Sequence, residues 1–334
     1  MTKPILGITM GDPAGIGSEI TVKALTHPEV YDSCCPLVFG DAQQLERMCN
    51  ILKLDVKINT ISDIDELKPS KDTINVIDLN NVPADVAFGQ VDGVCGKAAY
   101  EYIEAAVKHA LEHKIHAIVT APLNKAALHA SGCNFPGHTE ILANLTGTKD
   151  YSMMLVSPKL RVIHVSTHVQ LRKACDLVKK DRVLRVIRLA DDVLRLMGLE
   201  KPHIAVAGLN PHCGEGGLFG WEDAEEILPA VQQACEEGIY AEGPIAPDTV
   251  YHRSANLNDF DIVVSMYHDQ GHIPIKVLGF SSGVNVTVGL PVIRTSVDHG
   301  TAFEIAGKGI ADDESMLEAL RLGAQMAKVK FKLS

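Results

Sequence analysis

Short apolar segments alternate with amphipathic segments along most of the chain. Apolar, β-branched runs bounded by glycine or polar residues predict buried strands, and apolar residues at helical spacing predict helices. An alternation of the two indicates the α/β class. The predicted strands cover residues 5–10, 36–40, 115–120, 151–156, 161–166, 204–208, 261–266 and 284–288, and the predicted helices begin near residue 18 or cover residues 97–114, 170–199, 222–238 and 312–328.

The sheet is expected to be mixed rather than wholly parallel. The predicted strands at 151–156 and 161–166 flank a Ser-Pro-Lys-Leu turn, which is typical of an antiparallel hairpin. Residues 41–90 are polar and weakly patterned, with short strand candidates at 54–58 and 74–78. The length of 334 residues is enough for two domains or one large two-lobed unit.

Charge and composition exclude several classes of function. A net charge of −11 argues against a nucleic-acid partner, because phosphates need a basic face. The first ten residues lack a signal-peptide pattern and no apolar run is long enough for a membrane span, so we expect a cytoplasmic protein without a membrane partner. The eight cysteines form no CxxC pair and are expected to be reduced. If the substrate is anionic, a few Lys or Arg residues or a metal must make its site locally positive.

The densest set of chemical groups lies between residues 266 and 304. Lys276 and Arg294 flank the strand predicted at 284–288, and both residue types bind phosphate or carboxylate. They can converge only if the chain doubles back, which the Gly-Phe-Ser-Ser-Gly turn at 279–283 permits. The sequence Asp-His-Gly-Thr at 298–301 follows a strand, and it is either a helix-capping turn or a nucleotide contact.

Three histidines share one setting, since His168, His212 and His268 each follow an apolar, strand-like segment. Three histidines at strand ends could converge as a metal site with an open position, although singly each is more often an ordinary hydrogen-bonded residue. By contrast, His109 and His113 on the helix at 97–114 have the spacing of a ligand pair but no third ligand, so we interpret them as residues of a solvated face.

Polar loops in the first half of the chain add candidates for anion binding. The turn at 11–17, Gly-Asp-Pro-Ala-Gly-Ile-Gly, precedes a helix and either binds an anion or merely needs glycine for tight turning. Asn124 and Lys125 follow the strand predicted at 115–120. His138 and Thr139 open a helix, near its N-terminal amides.

Taken in order, the motifs resemble those of the PdxA family, the 4-hydroxythreonine-4-phosphate dehydrogenases. They are GDPAGIGSE, PGHTE, STH, GLNPHCGEGG, YHDQG, GVNVTVGLP and RTSVDHGTAFEIAGKG, and they extend over essentially the whole chain. Two of them, GDPAGIGSE and DHGTA, are also similar to segments of isopropylmalate and isocitrate dehydrogenases, which share the fold.

The resemblance implies a homodimer of two-lobed α/β/α subunits with a mixed sheet and an active site between lobes, near the subunit interface. Residues 1–130 and 284–334 would form the NAD lobe, and residues 131–283 the metal and dimer lobe. The implied metal ligands, with one contributed by the neighbouring subunit, are His168, His212 and His268, and the metal is a divalent ion such as zinc, magnesium, manganese or cobalt.

The resemblance also implies roles for residues of the pocket. The implied substrate contacts are His138, Thr139, Lys276, Asn285 and Arg294. Candidate catalytic groups are Asp248, Asp269 and Lys276. The implied NAD contacts are Asn285, Asp298, His299, Gly300 and Thr301, with His299 and Thr301 near the adenosine end.

The implied substrate is a four-carbon acid with a 3-hydroxyl and a 4-phosphate, oxidised at C3 by NAD and then decarboxylated. The segment from residue 121 to 140, and the absence of a proline before the acidic residue of GDPAGIGSE, are closer to a second branch acting on D-threonate or D-erythronate 4-phosphate. That branch would yield dihydroxyacetone phosphate and CO₂. The alternative is 4-hydroxy-L-threonine 4-phosphate, on the route to pyridoxal 5′-phosphate. A non-catalytic sugar-phosphate sensor is disfavoured, because the three histidines, Lys276 and Arg294 are all present.

Overall fold

A computed structural model describes residues 3–278 and 283–333. The strands are β1 (Ile5–Thr9), β2 (Cys35–Gly40), β3 (Lys57–Thr60), β4 (Thr73–Asp78), β5 (Ala117–Thr120), β6 (Ser152–Val156), β7 (Arg161–His164), β8 (Ile204–Ala207), β9 (Ala241–Ile245), β10 (Ile262–Ser265), β11 (Val284–Val288) and β12 (Arg294–Val297). The helices are α1 (Gly17–Ala24), α2 (Pro28–Ser33), α3 (Ala42–Leu52), α4 (Gly93–Leu111), α5 (Lys125–Ala130), α6 (His138–Leu145), α7 (Leu171–Leu177), α8 (Lys180–Leu196), α9 (Leu228–Glu236), α10 (Pro247–His252), α11 (His268–Leu278) and α12 (Glu314–Phe331).

The chain divides into two compact units, one formed by the described residues up to Lys149 and from Leu290 onward, the other by Asp150–Gly289. The sequence analysis placed these boundaries near residues 130 and 283. They differ because α6 packs on α4 of the first unit, and because β11 pairs with β6 of the second.

The first unit is built on parallel strands in the order β3-β4-β2-β1-β5-β12. Its central strands are apolar on both faces, as expected for a parallel sheet covered by helices on each side. Helix α4 packs on β1 and β2, and α12 packs on β5 and β12. Because the strands are parallel, their carboxyl ends and the loops that follow lie along one edge, where open α/β sheets bind ligands.

The second unit has strands in the order β11-β6-β7-β10-β8-β9. Strand β6 runs antiparallel to both β11 and β7, whereas β7, β10, β8 and β9 run parallel to one another. The predicted hairpin and the mixed character of the sheet are therefore confirmed. Val162 of β7 and Val263 of β10 lie in one apolar core with Phe260.

Five helices of the described chain escaped the sequence analysis, namely α2, α3, α5, α10 and α11. Helix α3 lies in the stretch interpreted as weakly patterned, yet the Asp41 side chain caps it by accepting from the Gln44 amide at 3.1 Å. Helix α11 begins at His268 and carries Lys276 in its last turn. The long helix predicted at 170–199 is two helices, α7 and α8. Of the turn predicted at 279–283, residues 279–282 lie outside the described residues.

Within the described ranges, none of the helices has the length and apolar character that crossing a membrane requires.

Candidate active site

A buried guanidinium lies at the edge of the first unit's sheet. Arg294, the first residue of β12, is 3% exposed, and its Nε and one terminal nitrogen donate to the Thr120 hydroxyl at 3.2 and 2.7 Å. Burial lowers the pKa of Arg294 to about 9, an effect that the nearby Glu140 carboxylate opposes. The group therefore keeps its charge at neutral pH, and supplies the local positive charge that an acidic chain needs to hold an anion.

The start of α6 lies beside this charge. Burial, followed by the positive charge of Arg294, holds the pKa of His138 well below its usual range, and its ring bonds the Ala121 backbone. Its Nε2 atom is buried and bonds nothing within the described part of the chain. His138 is therefore a neutral imidazole with one ring nitrogen left to meet a ligand, at a helix start whose amides attract anions.

Lys125 adds a second cation to this region. Its Cε lies 3.8 Å from the position that a Cβ on Gly137 would take, directly before the first residue of α6. An exposed ammonium, a buried guanidinium and a helix N-terminus together suit a phosphate or a carboxylate. The prediction that His138, Thr139 and Arg294 belong to one anion site is consistent with this geometry.

A cleft of about 650 Å³ also opens in the first unit, within the range of roughly 300–1,000 Å³ usual for small-molecule sites. Three of the five predicted cofactor residues line it, namely His299, Gly300 and Thr301, whereas Asn285 and Asp298 do not. Asn124 is the N-cap residue of α5, and its side-chain amide donates a long hydrogen bond of 3.5 Å to the Thr301 hydroxyl. In the described chain the next helix after residue 301 starts only at Glu314, so the segment is not a helix-capping turn.

The glycines of the turn at 11–17 serve close packing. A Cβ on Gly15 would lie 2.9 Å from the Thr301 Cβ, and one on Gly17 would overlap the Met10 carbonyl oxygen. The Ile16 amide donates to the Thr301 carbonyl at 3.1 Å, and Ile16 itself lines the cleft. Of the two interpretations left open, the geometry favours the tight turn, which forms one wall of the cleft.

Sequence reasoning missed the residue that fixes another wall. Glu19 is fully buried in α1, and its Oε1 accepts from the Ala311 amide at 2.7 Å and from Lys23 Nζ at 2.9 Å. Lys23 also donates to the Ala311 carbonyl at 2.6 Å, and Ala311 lines the cleft. The only available signal was an acidic and a basic residue four positions apart in the first helix.

Two of the three predicted metal ligands lie together in the second unit. The His168 and His268 rings are 5.7 Å apart between centroids, after the adjacent parallel strands β7 and β10. Asp269 Oδ1 lies 2.7 Å from His268 Nδ1, which directs Nε2 as the ligand nitrogen. A cavity of about 500 Å³ adjoins the pair, with Tyr267 in its lining.

A second layer of histidines supports this pair. His272 stacks on the His268 ring at 3.6 Å with an angle of 12°, and its Nδ1 lies 3.1 Å from His164 Nε2. Burial, followed by the charge of His272, lowers the pKa of His164 to about 3, so it is neutral. His164 falls inside a predicted strand, which is why its position alone gave no functional signal.

The third histidine is elsewhere. His212 is exposed on the loop after β8, and within the described ranges no three His, Cys, Asp or Glu side chains are grouped to hold a metal ion. The three strand-end histidines therefore do not converge in one chain. Two imidazoles with a supporting carboxylate fit part of a zinc-type donor set, which needs at least one more protein ligand.

Comparison with known proteins decides the family. The family model described as "Pyridoxal phosphate biosynthetic protein PdxA" matches residues 32–323. The chain belongs to the PdxA family. It is 54% identical to D-threonate 4-phosphate dehydrogenase of Cupriavidus necator, with 97% of each chain covered.

Two solved structures add to this finding. A 4-hydroxythreonine-4-phosphate dehydrogenase from Burkholderia phymatum is 54% identical, with a TM-score of 0.87 over 98% of this chain and 99% of that one. An apo β-decarboxylating dehydrogenase from Thermococcus kodakarensis is 12% identical, with a TM-score of 0.51 over 95% of this chain and 81% of that one, and shows a shared fold. The predicted fold class is confirmed, and the two relatives at 54% identity, both named dehydrogenases, indicate that this PdxA chain is an oxidoreductase.

The remaining predicted residues of this PdxA chain lie in the second unit. Lys276 is half-buried in α11, and Asn285 of β11 is paired with Leu155 of β6. Asp248 is exposed in the first turn of α10. It lies near Cys213, since burial first, and then the Asp223 and Asp248 carboxylates, raise the pKa of that thiol to about 11.

Burial disfavours the ionised form of one carboxyl group in the first unit, that of Asp12. Asp12 is fully buried, and its Oδ1 accepts from the Ala14 amide at 2.8 Å. Its Oδ2 meets no hydrogen-bond partner in the part of the chain that is described. Burial raises the pKa of Asp12 to about 6, against backbone hydrogen bonds from Ala14 and Asn124 that lower it.

Asp12→Asn should therefore gain stability relative to the parent as the pH rises. A carboxyl with a raised folded-state pKa stabilises the fold below its unfolded value near 4, and this stability is lost as the pH rises to about 6. The difference in unfolding free energy between variant and parent should grow by about 2–3 kcal/mol across that window and stay flat above it.

Urea denaturation of both proteins at a series of pH values measures this change. The pH-dependent part is decisive, because the amide also alters the hydrogen bond to Asn124 at every pH. The exposed Asp85→Asn variant is the control and should show no such growth. A constant difference between the Asp12 variant and its parent from pH 4 to 8 would contradict the expectation.

Proposed function

We propose that this PdxA chain is an NAD-dependent, metal-assisted dehydrogenase of four-carbon, 4-phosphorylated 3-hydroxy acids. It oxidises C3, and the resulting β-keto acid loses CO₂. The favoured substrate is D-threonate or D-erythronate 4-phosphate, and the product is dihydroxyacetone phosphate. The observation that carries the proposal is the buried Arg294 charge beside the start of α6, in a chain of net charge −11.

The anion site would hold the substrate phosphate. Arg294 presents a guanidinium whose orientation is fixed by Thr120, so little side-chain freedom is lost on binding. The neutral His138 ring can share a hydrogen bond with a phosphate oxygen, and Thr139 lies in the same helical turn. Lys276 and Asn285 of the second unit are proposed as further substrate contacts.

The histidine pair would hold the metal. We assign two ligands to one chain, His168 and His268, and the third to His212 of the partner subunit, because only the first two lie together. A bound divalent metal would supply Lewis-acid polarisation of the substrate oxygen at C3. Asp269 bonds the Nδ1 atom of His268 and so fixes the orientation of the ring. The Nε2 atom would then be the nitrogen that binds the metal.

The cleft of the first unit would take the dinucleotide. Its lining offers the His299 Nε2 atom, which is buried and unbonded in the described chain, together with Gly300 and Thr301. Bound NAD would supply the hydride acceptor for the oxidation at C3. The proton of the 3-hydroxyl must pass to a basic group, for which we propose Lys276, Asp248 or Asp269.

One observation favours a second substrate. The solved Burkholderia phymatum chain, also 54% identical, bears the name 4-hydroxythreonine-4-phosphate dehydrogenase. That substrate has an amine at C2 where the aldonates have a hydroxyl. The same anion site and C3 chemistry serve either one, so the choice depends on the group that faces C2.

Initial rates with each phosphorylated acid separate the two. NADH absorbance should rise faster, at equal substrate and metal concentrations, with D-threonate or D-erythronate 4-phosphate than with 4-hydroxy-L-threonine 4-phosphate. Mass spectrometry should identify dihydroxyacetone phosphate as the product. A preference for the amine substrate would assign the chain to the second candidate, and absence of NADH formation from all three would overturn the proposal.

Arg294→Met should raise the KM for the phosphorylated acid by roughly 10–150-fold, because a hydrogen bond to a charged group contributes about 1.5–3 kcal/mol. The KM for NAD should hardly change. Arg294→Lys should restore only part of the loss, since an ammonium lacks the two-pronged geometry of the guanidinium. Arg321→Met, on the exposed face of α12, is the matched control.

Steady-state kinetics with each substrate varied in turn measures these constants. Melting temperatures of all variants separate a binding loss from a folding loss. An unchanged KM for the acid, or an equal loss for NAD, would remove Arg294 from the anion site.

Mixing inactive variants tests the shared metal site. If His168 and His268 come from one chain and His212 from the other, His212→Ala mixed with His168→Ala leaves one complete site in each hybrid dimer. The same holds for His212→Ala with His268→Ala. The mixture of His168→Ala with His268→Ala leaves every site short of one ligand, and should stay inactive.

Activity and bound metal are measured after subunit exchange has been verified by mass spectrometry. Recovery in the first two mixtures and none in the third is the expected pattern. Recovery in the third mixture would show that these two histidines serve opposite sites, and recovery in none would overturn the shared site.

A further inference from the structure

One wall of the cleft in the first unit is a loop without regular structure. The segment 302–312, which we call the cleft loop, precedes α12 and supplies six of the eleven residues that line the cleft. It contains neither helix nor strand, and Ala302, Gly307 and Gly309 have positive φ values of 42°, 74° and 71°. A backbone of this kind cannot satisfy its own polar groups in a regular ladder, so its shape depends on contacts with neighbouring elements.

The start of the cleft loop is held by backbone contacts. The Ile16 amide, at the N-terminus of α1, donates to the Thr301 carbonyl at 3.1 Å. A Cβ on Gly89 would lie 2.6 Å from the Phe303 carbonyl oxygen, so two backbone segments approach closely there. This end of the loop therefore needs no charged side chain to fix it.

The far end of the cleft loop is held by two side chains of α1. Glu19 Oε1 accepts from the Ala311 amide at 2.7 Å. Lys23 Nζ donates to the Gly309 carbonyl at 3.1 Å, to the Ala311 carbonyl at 2.6 Å and to Glu19 Oε1 at 2.9 Å. An ammonium has three hydrogens to donate, and these three bonds use all of them. Both charged groups are thus committed to the backbone of this loop and to each other.

The same pair is a poor means of stabilising the fold. Glu19 is fully buried and the Lys23 side chain is 22% exposed. The second carboxylate oxygen of Glu19 is buried and meets no hydrogen-bond partner in the described part of the chain. Removing a charge from water offsets most of what a buried ion pair gains, and apolar replacements of both partners are often neutral in stability. What the pair does supply is a fixed position for the backbone at residues 309 and 311.

That position matters for any ligand of the cleft. Ala311 and the exposed carboxylate of Asp312 line the cleft directly after the held backbone, whereas neither Glu19 nor Lys23 lines it. A wall that already has its binding shape loses little freedom when a ligand arrives. Fixing the backbone of even one residue on binding costs roughly tenfold in affinity, so loosening this wall should be measurable.

We propose that Glu19 and Lys23 are positioning residues for the dinucleotide, which hold the cleft loop in its binding shape without lining the cleft themselves. This inference rests on the NAD-dependent function proposed above. It adds to that function the two groups that preorganise the cofactor cleft.

A double variant tests the proposal, because removing both charges together leaves no unpaired ion in the interior. In Glu19→Met with Lys23→Met, the dissociation constant of NADH, titrated by its fluorescence, should rise at least tenfold. The KM for NAD should rise in parallel, while the KM for the phosphorylated acid and kcat stay within about twofold of the parent. The melting temperature should hardly change, since both partners of the ion pair are gone.

Hydrogen exchange gives a reading that does not depend on activity. The Ala311 amide should exchange slowly in the parent, where it bonds a buried carboxylate, and much faster in the double variant. Glu19→Gln keeps an oxygen that can accept from Ala311 and Lys23, so its NADH affinity should lie between those of the parent and the double variant.

Lys97→Met is the matched control. Lys97 is 70% exposed on α4 of the same unit and pairs with Glu101, also four positions away, at 3.6 Å. This variant loses an ion pair of the same spacing far from the held backbone of the loop in sequence. It should bind NADH and exchange the Ala311 amide as the parent does.

The outcomes separate the positioning pair from the proposed reaction. Parent-like NADH affinity in the double variant, or an equal rise in the KM for the acid, overturns the positioning role even if the parent oxidises its substrate. If the double variant fails to fold, Glu19→Gln decides, and parent-like affinity and exchange in it overturn the role. A parent that binds NADH, with the expected loss in the variants, but oxidises none of the three acids supports the role and overturns the reaction. A parent that binds no NADH overturns both.

Discussion

The candidate site depends on keeping one positive charge inside an acidic protein. A buried guanidinium is tolerated only where its donors are satisfied and a compensating group is near. Here the Thr120 hydroxyl accepts two of its hydrogen bonds and the Glu140 carboxylate supports the charge. Thr120 ends β5, the parallel neighbour of β12, so the sheet itself fixes the distance between Arg294 and the loops that carry Asn124 and His138. The anion site is a consequence of strand pairing.

The same charge controls the neighbouring histidine. Burial and Arg294 together keep the pKa of His138 low, so the ring is a neutral polar group and adds no second charge. A neutral imidazole can accept or donate one hydrogen bond, which suits a ligand whose own protonation changes. His164 in the second unit is likewise held neutral by burial, behind the His268–Asp269 pair. Burial thus keeps both rings neutral. The charged groups near each site are therefore arginine, carboxylates and bound ligands.

Local patterns predicted the parts of the fold that local forces determine. The β-branched run at 284–288 is β11, residue for residue, because alternation and propensity agree there. Residue type and local position also marked candidates, at a helix start for His138, beside a strand for Arg294 and after a strand for His168 and His268. The sequence analysis did not predict properties that depend on contacts between residues far apart in the chain. Thr120 is 174 residues from Arg294, and Glu19 is 292 residues from Ala311, so neither partnership leaves a trace in spacing. The positive φ values of residues 212–217 were equally hidden, since the sequence there shows only three glycines in a polar loop.

Glycine shows how the same residue type serves different ends in the two units. At Gly15 and Gly17 the absence of a side chain lets the turn at 11–17 lie against Thr301 and Met10, and the cleft gains a wall. At Gly214 it permits a backbone conformation and a close approach to the Gly220 carbonyl at once. At Gly15 and Gly17 the missing side chain therefore helps to shape a surface that a ligand can contact. The second use, at Gly214, places a run of positive φ in the loop that carries His212, and the buried Asp223 carboxylate accepts from the Leu209 and Asn210 amides where that loop begins. The conformation of this loop is therefore set by contacts between residues up to 14 positions apart in the chain.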